Sequence, residues 1–455
     1  MKLKKFNFKL PRDEARKKKI MLTSISAITL ILIITIASTF AYYQSIENQN
    51  PINTSVGEFS SGDVIFAVTL DGISSKKFPK KTDGYIASSV VCDKGAIGEW
   101  DAYKWGALTY NLSESGTKCN VDFTSDSSLK NTIILYNGGV SAIEAKGSPA
   151  LNVVPNATTS GIYATDDEYG TSYYYRGLRT SLSNNIIFAG FQWKIVRING
   201  DGSIRLIYNG TEAQFNSAKT MNTTGVNTQI GESAFNSSNS ANRFIGYMYG
   251  GGSSYISEHS NNANSGIKAY LDTWYVNNIE SKGATITSAI ADNLFCNDRQ
   301  LGRNYPGAPT SDDGWNGTGY GSSYTIYAPF YRHQTNASNP IPTLLCAQKN
   351  DRFTVSDATI GNASLTYPIG LITADEVVYG GRGNDQYLVT NQIFWTMSPF
   401  TSGNNNVNVY VVAANGGLTN GPVVTRGVRA VLNLKPSAKV IGSGTDFDPF
   451  KVISE

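Results

Sequence analysis

The side chains best suited to chemistry are two short acidic runs, four cysteines and a group of aromatic rings. Asp375 and Glu376 are adjacent carboxylates, and a carboxylate pair is the equipment of general acid–base work such as glycoside hydrolysis. The same acids suit the first turn of a helix, whose N-terminus carries a partial positive charge, and the helix start is the reading we prefer. Asp166, Asp167 and Glu168 form the tightest acidic cluster. They supply oxygen ligands of the kind Ca²⁺ takes, but not at EF-hand spacing, so a solvated loop is preferred and no other cofactor is implied. Asp446 and Asp448 are expected to shape a turn before Pro449. His259 and His333 lie in polar stretches with no nucleophile motif beside them, and no catalytic role is expected of either.

Cys92, Cys119, Cys296 and Cys346 allow three pairings. The sequential one, Cys92 with Cys119 and Cys296 with Cys346, keeps each bridge within one module, and each would then stabilise by about 3.5–4 kcal/mol. Long spacings and the lack of a CxxC run argue against zinc. The aromatic candidates are Tyr174, inside a run of three tyrosines, and Trp315, Tyr320, Tyr324 and Tyr327, which lead to Arg332 in a Gly-rich segment. Tyr and Trp beside Ser, Gly and Asn make recognition surfaces, so these residues are candidates for stacking on sugars or peptide side chains. Core filling is the alternative, and the preferred one.

These groups need a compartment and a scaffold. Residues 20–43 are 24 consecutive uncharged residues, and the 19 before them carry nine Lys or Arg against Asp13 and Glu14. As a helix the apolar run would reach about 36 Å, enough for a hydrocarbon core of about 30 Å. The positive-inside rule keeps the basic end in the cytoplasm and exports the rest. A cleaved signal peptide, with Thr39 and Ala41 before the cut, is the competing reading, but its apolar core would be shorter. The expectation is a single-pass signal-anchor with the bulk of the chain extracellular, where disulfides persist.

The whole chain is +3. With the basic leader set aside, the remainder is −4, which excludes the broad basic face that nucleic acid requires. It contains 26 Tyr, 19 Phe and 6 Trp, enough for more than one core and not the composition of a disordered chain.

Turn residues and alternation divide the exported part. The expected organisation is a cytoplasmic segment 1–19, a membrane helix 20–43, a stalk 44–56, a small β-sandwich-like module 57–126, a connector 127–160 and a larger module 161–455. The fold class is mainly β with some α. Strands are expected at 64–70, 85–92 and 119–123, then a hairpin of 191–198 and 203–208 around Asn199-Gly200-Asp201-Gly202, a strong turn signal. Arg197 and Arg205 are expected on the solvent side of that ribbon. Ile267, Tyr270, Leu271 and Trp274 make a helical stripe behind a Ser265 cap, and 288–295 is expected as a second short helix. Strands at 393–398, 407–413, 423–425 and 428–434 are expected to close the chain as an antiparallel meander.

The closing segments, with Trp395, Ser398, Pro399 and then Gly427, Val428 and Arg429, resemble the end of C-type-lectin-like domains of the formylglycine-generating, sulfatase-modifying branch. Residues 161–177 together with the Trp193 hairpin resemble exported, N-terminally anchored proteins of gut Firmicutes. The likeness spans about residues 160–435 and implies a C-type-lectin-like α+β module. It does not bring an activity. The paired cysteines of the catalytic branch are missing, and so are the calcium-binding triplets of sugar-binding lectins; Trp315-Asn316-Gly317 comes nearest but lacks the acid. The function expected is that of a surface-anchored binding or adhesion protein, with a glycan or a host or envelope protein as partner. A cell-envelope hydrolase using Asp375 and Glu376, or a structural envelope component, are the alternatives.

Overall fold

The computed structural model describes residues 58–61, 64–81, 83–112, 114–212, 221, 224–309, 314–403 and 405–453. The expected anchor at 20–43 and the stalk at 44–56 lie outside them. Among the described residues no helix is long and apolar enough to cross a membrane. The fold is mixed, with more strand than helix, and divides into two compact units between Ser125 and Asp126.

The first unit is a five-stranded sheet. Strand β1 (Glu58–Ser61) pairs with β2 (Val64–Leu70), which also pairs with β3 (Ile73–Ser75). Asp71 and Gly72 turn β2 into β3 with φ of 49° and 78°, the double positive φ that a tight hairpin demands. Strand β7 (Thr117–Thr124) runs parallel to β2 and antiparallel to β4 (Ile86–Cys92). Strands β5 (Ile97–Asp101) and β6 (Gly106–Tyr110) form a separate hairpin. Val64, Phe66 and Val68 alternate inward on β2, as do Cys119, Val121 and Phe123 on β7. This two-residue period packs them against Phe78, Trp100 and Trp105. Cys92 stands directly opposite Cys119, and the two are bridged.

The second unit is built on an eight-stranded sheet. Its centre is the expected hairpin, β11 (Phe191–Ile198) with β12 (Ile204–Thr211), flanked by β10 (Asn185–Phe188) and the strand Val431–Leu434. Strand β9 (Gly170–Arg176) joins β11 and pairs with β8 (Gly161–Asp167). Every residue of β11 is buried, and all of β12 but Thr211, so the sheet is covered on both faces. Arg197 and Arg205, expected in solvent, are 4 % and 1 % exposed. The hairpin is the middle of the sheet rather than its edge, and their charges are met internally.

A second sheet of six strands contains Phe394–Ser402, Asn408–Val412 and Leu418–Pro422 as a meander. The expected closing meander is only partly formed. Thr425–Val428 pairs in parallel with Phe394–Ser402, and Val431–Leu434 crosses to the first sheet. Arg429, between those two strands, ties the crossing by donating to the carbonyls of Tyr208 and Leu388 at 2.9 and 2.8 Å.

The helix Gly266–Asn278 starts where Ser265 Oγ accepts the Lys268 N–H at 3.2 Å. It buries Ile267, Leu271 and Tyr275, and sets Trp274 5.4 Å from Phe191. The expected helix at 288–295 does not form. A short turn, Ala284–Thr287, stands just before it, and the Ala291 N–H is taken by Asn433 O at 2.8 Å, making this stretch an edge of the sheet. Residues 127–160 are more than a connector, because the helices Leu129–Tyr136 and Val140–Glu144 send Leu129, Ile133, Ile134 and Ile143 into the core of this unit.

Candidate functional site

The acidic pair lies at the helix Ala374–Gly380, as the helix-start reading expects. Thr373 caps it, accepting the Glu376 N–H at 3.1 Å, while Glu376 Oε2 accepts the Thr373 N–H at 2.9 Å. This reciprocal box satisfies two amides that would otherwise lack partners. It also buries both acids, each 3 % exposed, next to the two arginines of the central hairpin.

Glu376 Oε1 accepts Arg197 Nε at 3.0 Å and lies 2.6 Å from Arg205 Nε. Arg197 reaches on to Asp167 Oδ2 at 2.5 Å. Asp375 takes Arg332 through both oxygens, accepts the Thr343 N–H at 3.0 Å, and has His333 Nε2 at 3.2 Å. Arg332 also reaches Asp298 at 2.5 Å. Three arginines thus face four carboxylates in the core, around a cavity of about 20 Å³ that has room for about one water.

Burial raises the Asp375 and Glu376 carboxyls, but their hydrogen-bonded partners outweigh it. Arg332 and His333 hold Asp375 well below the usual carboxylate range, and Arg205 and Arg197 hold Glu376 below its ordinary value. Burial pushes Arg205 down to about 10, with Glu376 opposing. An acid held this firmly as a carboxylate and paired with guanidinium groups has no proton to give. The arrangement is a set of buried ion pairs that fastens the helix to the sheet and to the Arg332 segment.

The acidic run of the first β-hairpin in this unit does not converge. Asp166 and Asp167 are consecutive strand residues, which point to opposite faces. Asp166 accepts from Thr171 at 3.1 Å, Asp167 pairs with Arg197, and Glu168 pairs with Arg352 at 3.2 Å and accepts the Cys346 N–H at 2.6 Å. Among the described residues no group of three His, Cys, Asp or Glu is placed to hold a metal ion.

The aromatic candidates are not gathered into a surface. Tyr174, Trp315, Tyr327 and Arg332 are 3, 8, 0 and 1 % exposed, as the core-filling reading expects. Tyr174 packs on Tyr379 with ring centres 4.5 Å apart, Trp315 stands edge-on to Phe330 and Tyr331, and the Tyr327 hydroxyl meets Ser402 Oγ at 2.9 Å. Tyr320 is half-buried, and of the six only Tyr324 is exposed. The histidines are not in polar loops. His259 is 2 % exposed, and burial together with Arg299 pushes its pKa down to about 2, while His333 is 7 % exposed beside Asp375.

Both cysteine pairs are bridged, Cys92 to Cys119 and Cys296 to Cys346. Cys346 Sγ of the second bridge lies 3.7 Å from the Asp351 carbonyl, and the Asp351 carboxylate pairs with Arg299 at 2.6 Å.

An open groove lies elsewhere in this unit. With a volume of about 650 Å³, it runs between the β10–β11 turn, the stretch around Ala284–Thr287, residues 435–439 and the strand Phe450–Val452. Its walls are aliphatic, with Ile187, Ile286, Val452 and Ile453, and Lys282, Lys435, Lys439 and Lys451 rim it against a single acid, Glu212. All four lysines are exposed. One lysine comes from residue 282 and three from residues 435–451, so no single local motif announces them.

The geometry describes a disulfide-bonded, sheet-rich protein with an ion-paired interior and a basic groove. Set against family models, curated proteins and solved structures, the chain matches none.

Proposed function

We propose that this chain is an exported binding protein, anchored by residues 20–43 and presenting both units outside the cell. In this reading the second unit is a C-type-lectin-like scaffold and the first a small sandwich-like spacer. The two disulfides support an oxidising compartment. The observation that carries the reading is the groove. Its volume falls in the range of ligand sites, and its apolar wall with a few charged groups is their usual chemistry.

The ligand we infer is an acidic segment of an extracellular protein. Its carboxylates would meet the lysine rim, and its apolar side chains the aliphatic wall. A neutral glycan is less well served, since sugars stack on open aromatic faces, and the one ring on the lining, Phe188, is 2 % exposed. Hydrolysis at Asp375 and Glu376 is disfavoured because arginines already occupy both carboxylates. The test is a screen of the chain lacking residues 1–43 against acidic and neutral peptides, glycans and matrix proteins. Binding that favours acidic protein segments and weakens with salt is expected; a blank panel would remove the proposal.

A further inference from the structure

Lys194 is the one lysine in the centre of the main sheet. It is 1 % exposed, and its direct cross-strand partner on β10 is Asn185, which is fully buried. Directly opposed residues on antiparallel strands project to the same face, and here the Lys194 ammonium donates a hydrogen bond to Asn185 Oδ1. The Asn185 amide is held from its other end, because Nδ2 donates to Gly444 O at 2.9 Å. The Lys194 nitrogen therefore lies beside the amide carbon, one bond beyond the oxygen it contacts. Asp446 completes the group. Its Oδ1 lies 3.7 Å from Lys194 Nζ, and this oxygen is buried without a hydrogen-bond partner among the described residues. Arg429 and Arg179 add positive charge around the amine.

We propose that Lys194 and Asn185 form an intramolecular isopeptide bond, with Asp446 as the proton-transfer group. The neutral Lys194 amine adds to Asn185 Cγ, forming the Nζ–Cγ bond. Asp446 takes a proton from the attacking nitrogen and delivers it to the departing amide nitrogen. The Cγ–Nδ2 bond breaks, ammonia leaves, and a secondary amide joins the two strands. No oxidant, reductant or further reactant is consumed.

Three physical conditions favour the step. Burial pushes the Lys194 pKa down to about 8, with Asp446 opposing and the arginines assisting, so a minor but reactive fraction of the amine is neutral near pH 7. A desolvated amine of this kind is an activated nucleophile. The fold holds it against its target, which removes the entropic part of the barrier. The product also replaces a buried ammonium by a neutral amide, relieving the cost of an enclosed charge. Asp446, a quarter exposed, offers the leaving ammonia a short way to solvent.

The test is mass spectrometry of the full chain, folded, then reduced and denatured. A chain lighter than its sequence by one ammonia is expected. Trypsin should then fail to cut after Lys194 and release residues 180–197 as one peptide carrying the whole deficit. The Lys194→Arg and Asp446→Ala chains should keep their full sequence masses. A full sequence mass for the unaltered chain overturns the proposal, whatever the variants do. Loss of ammonia that persists in Lys194→Arg also overturns it, because asparagine has then cyclised on its own backbone. Neither result depends on the ligand of the groove.

Discussion

Asp375 and Arg332 meet through two parallel hydrogen bonds in the core, Nε to Oδ1 and Nη2 to Oδ2, each 2.8 Å. The pair joins the helix Ala374–Gly380 to the turn Tyr331–Thr335, 43 residues away in sequence. Removing Asp375 leaves the enclosed Arg332 with Asp298 as its remaining carboxylate, and breaking a buried pair costs up to about 3–5 kcal/mol. Asp375→Ala is therefore expected to lower unfolding stability by that amount in urea titrations. A loss well under 1 kcal/mol, the typical worth of a surface pair, would show that Asp298 or solvent compensates Arg332 fully and that the Asp375 pair does not fasten the helix.

Acid should destabilise the protein in two steps. His259 has an ordinary pKa of 6.5 and is held near 2 by burial and Arg299. The unfolded chain thus takes up a proton that the folded chain refuses, and stability falls as pH drops below 6.5. Asp375 and Glu376 are lowered too, so their contribution is present above the usual carboxylate range and lost as pH falls through and below it. Asp298, raised by burial despite Arg332, works in the opposite direction. His259→Gln is expected to flatten the melting-temperature profile between pH 6.5 and about 5, while leaving the more acidic loss in place.

The disulfides should act on separate units. Cys296 and Cys346 are 50 residues apart, and Cys92 and Cys119 are 27 apart. Opening them to alanine pairs should cost about 4 and about 3.5 kcal/mol respectively by loop closure. Calorimetry should show the first change only in the transition of residues 126–453, and the second only in that of the N-terminal unit.

Gly200 is fixed by a close approach rather than by its turn angle. A Cβ there would lie 2.5 Å from both Asp167 Oδ1 and the Gly170 nitrogen. Gly200→Ala is expected to cost about 1–3 kcal/mol, the range for overpacking, by displacing Asp167 from Arg197. Unchanged urea stability would show that the β8–β9 turn yields freely.

The central hairpin is legible in the sequence because its turn, Asn199 to Gly202, is chemically explicit and its strands are long. The Ser265 cap is legible for the same reason, and the cysteine pairing because the sequential choice keeps each bridge within one module. The position of the hairpin within the sheet is not. Arg197 and Arg205 look like solvent-facing charges until Glu376, some 170 residues later, is seen to neutralise them. The aromatic segment allows both a ligand surface and core filling in the sequence, and it is burial in the fold that assigns Trp315 and Tyr327 to the interior. Only the third dimension gathers Lys282, Lys435, Lys439 and Lys451 on one groove.

The most direct test of the binding proposal is titration of the chain lacking residues 1–43 with an acidic peptide and its amide-neutralised counterpart. The comparison protein is Lys435→Glu with Lys451→Glu, whose side chains are exposed and whose replacement should leave the fold intact. The acidic peptide should bind, the neutral one should bind at least tenfold more weakly, and the double variant should lose that preference, a change of about 1.4 kcal/mol or more. Equal affinity of the original and doubly reversed chains for the acidic peptide would contradict the assignment of the groove as the binding site.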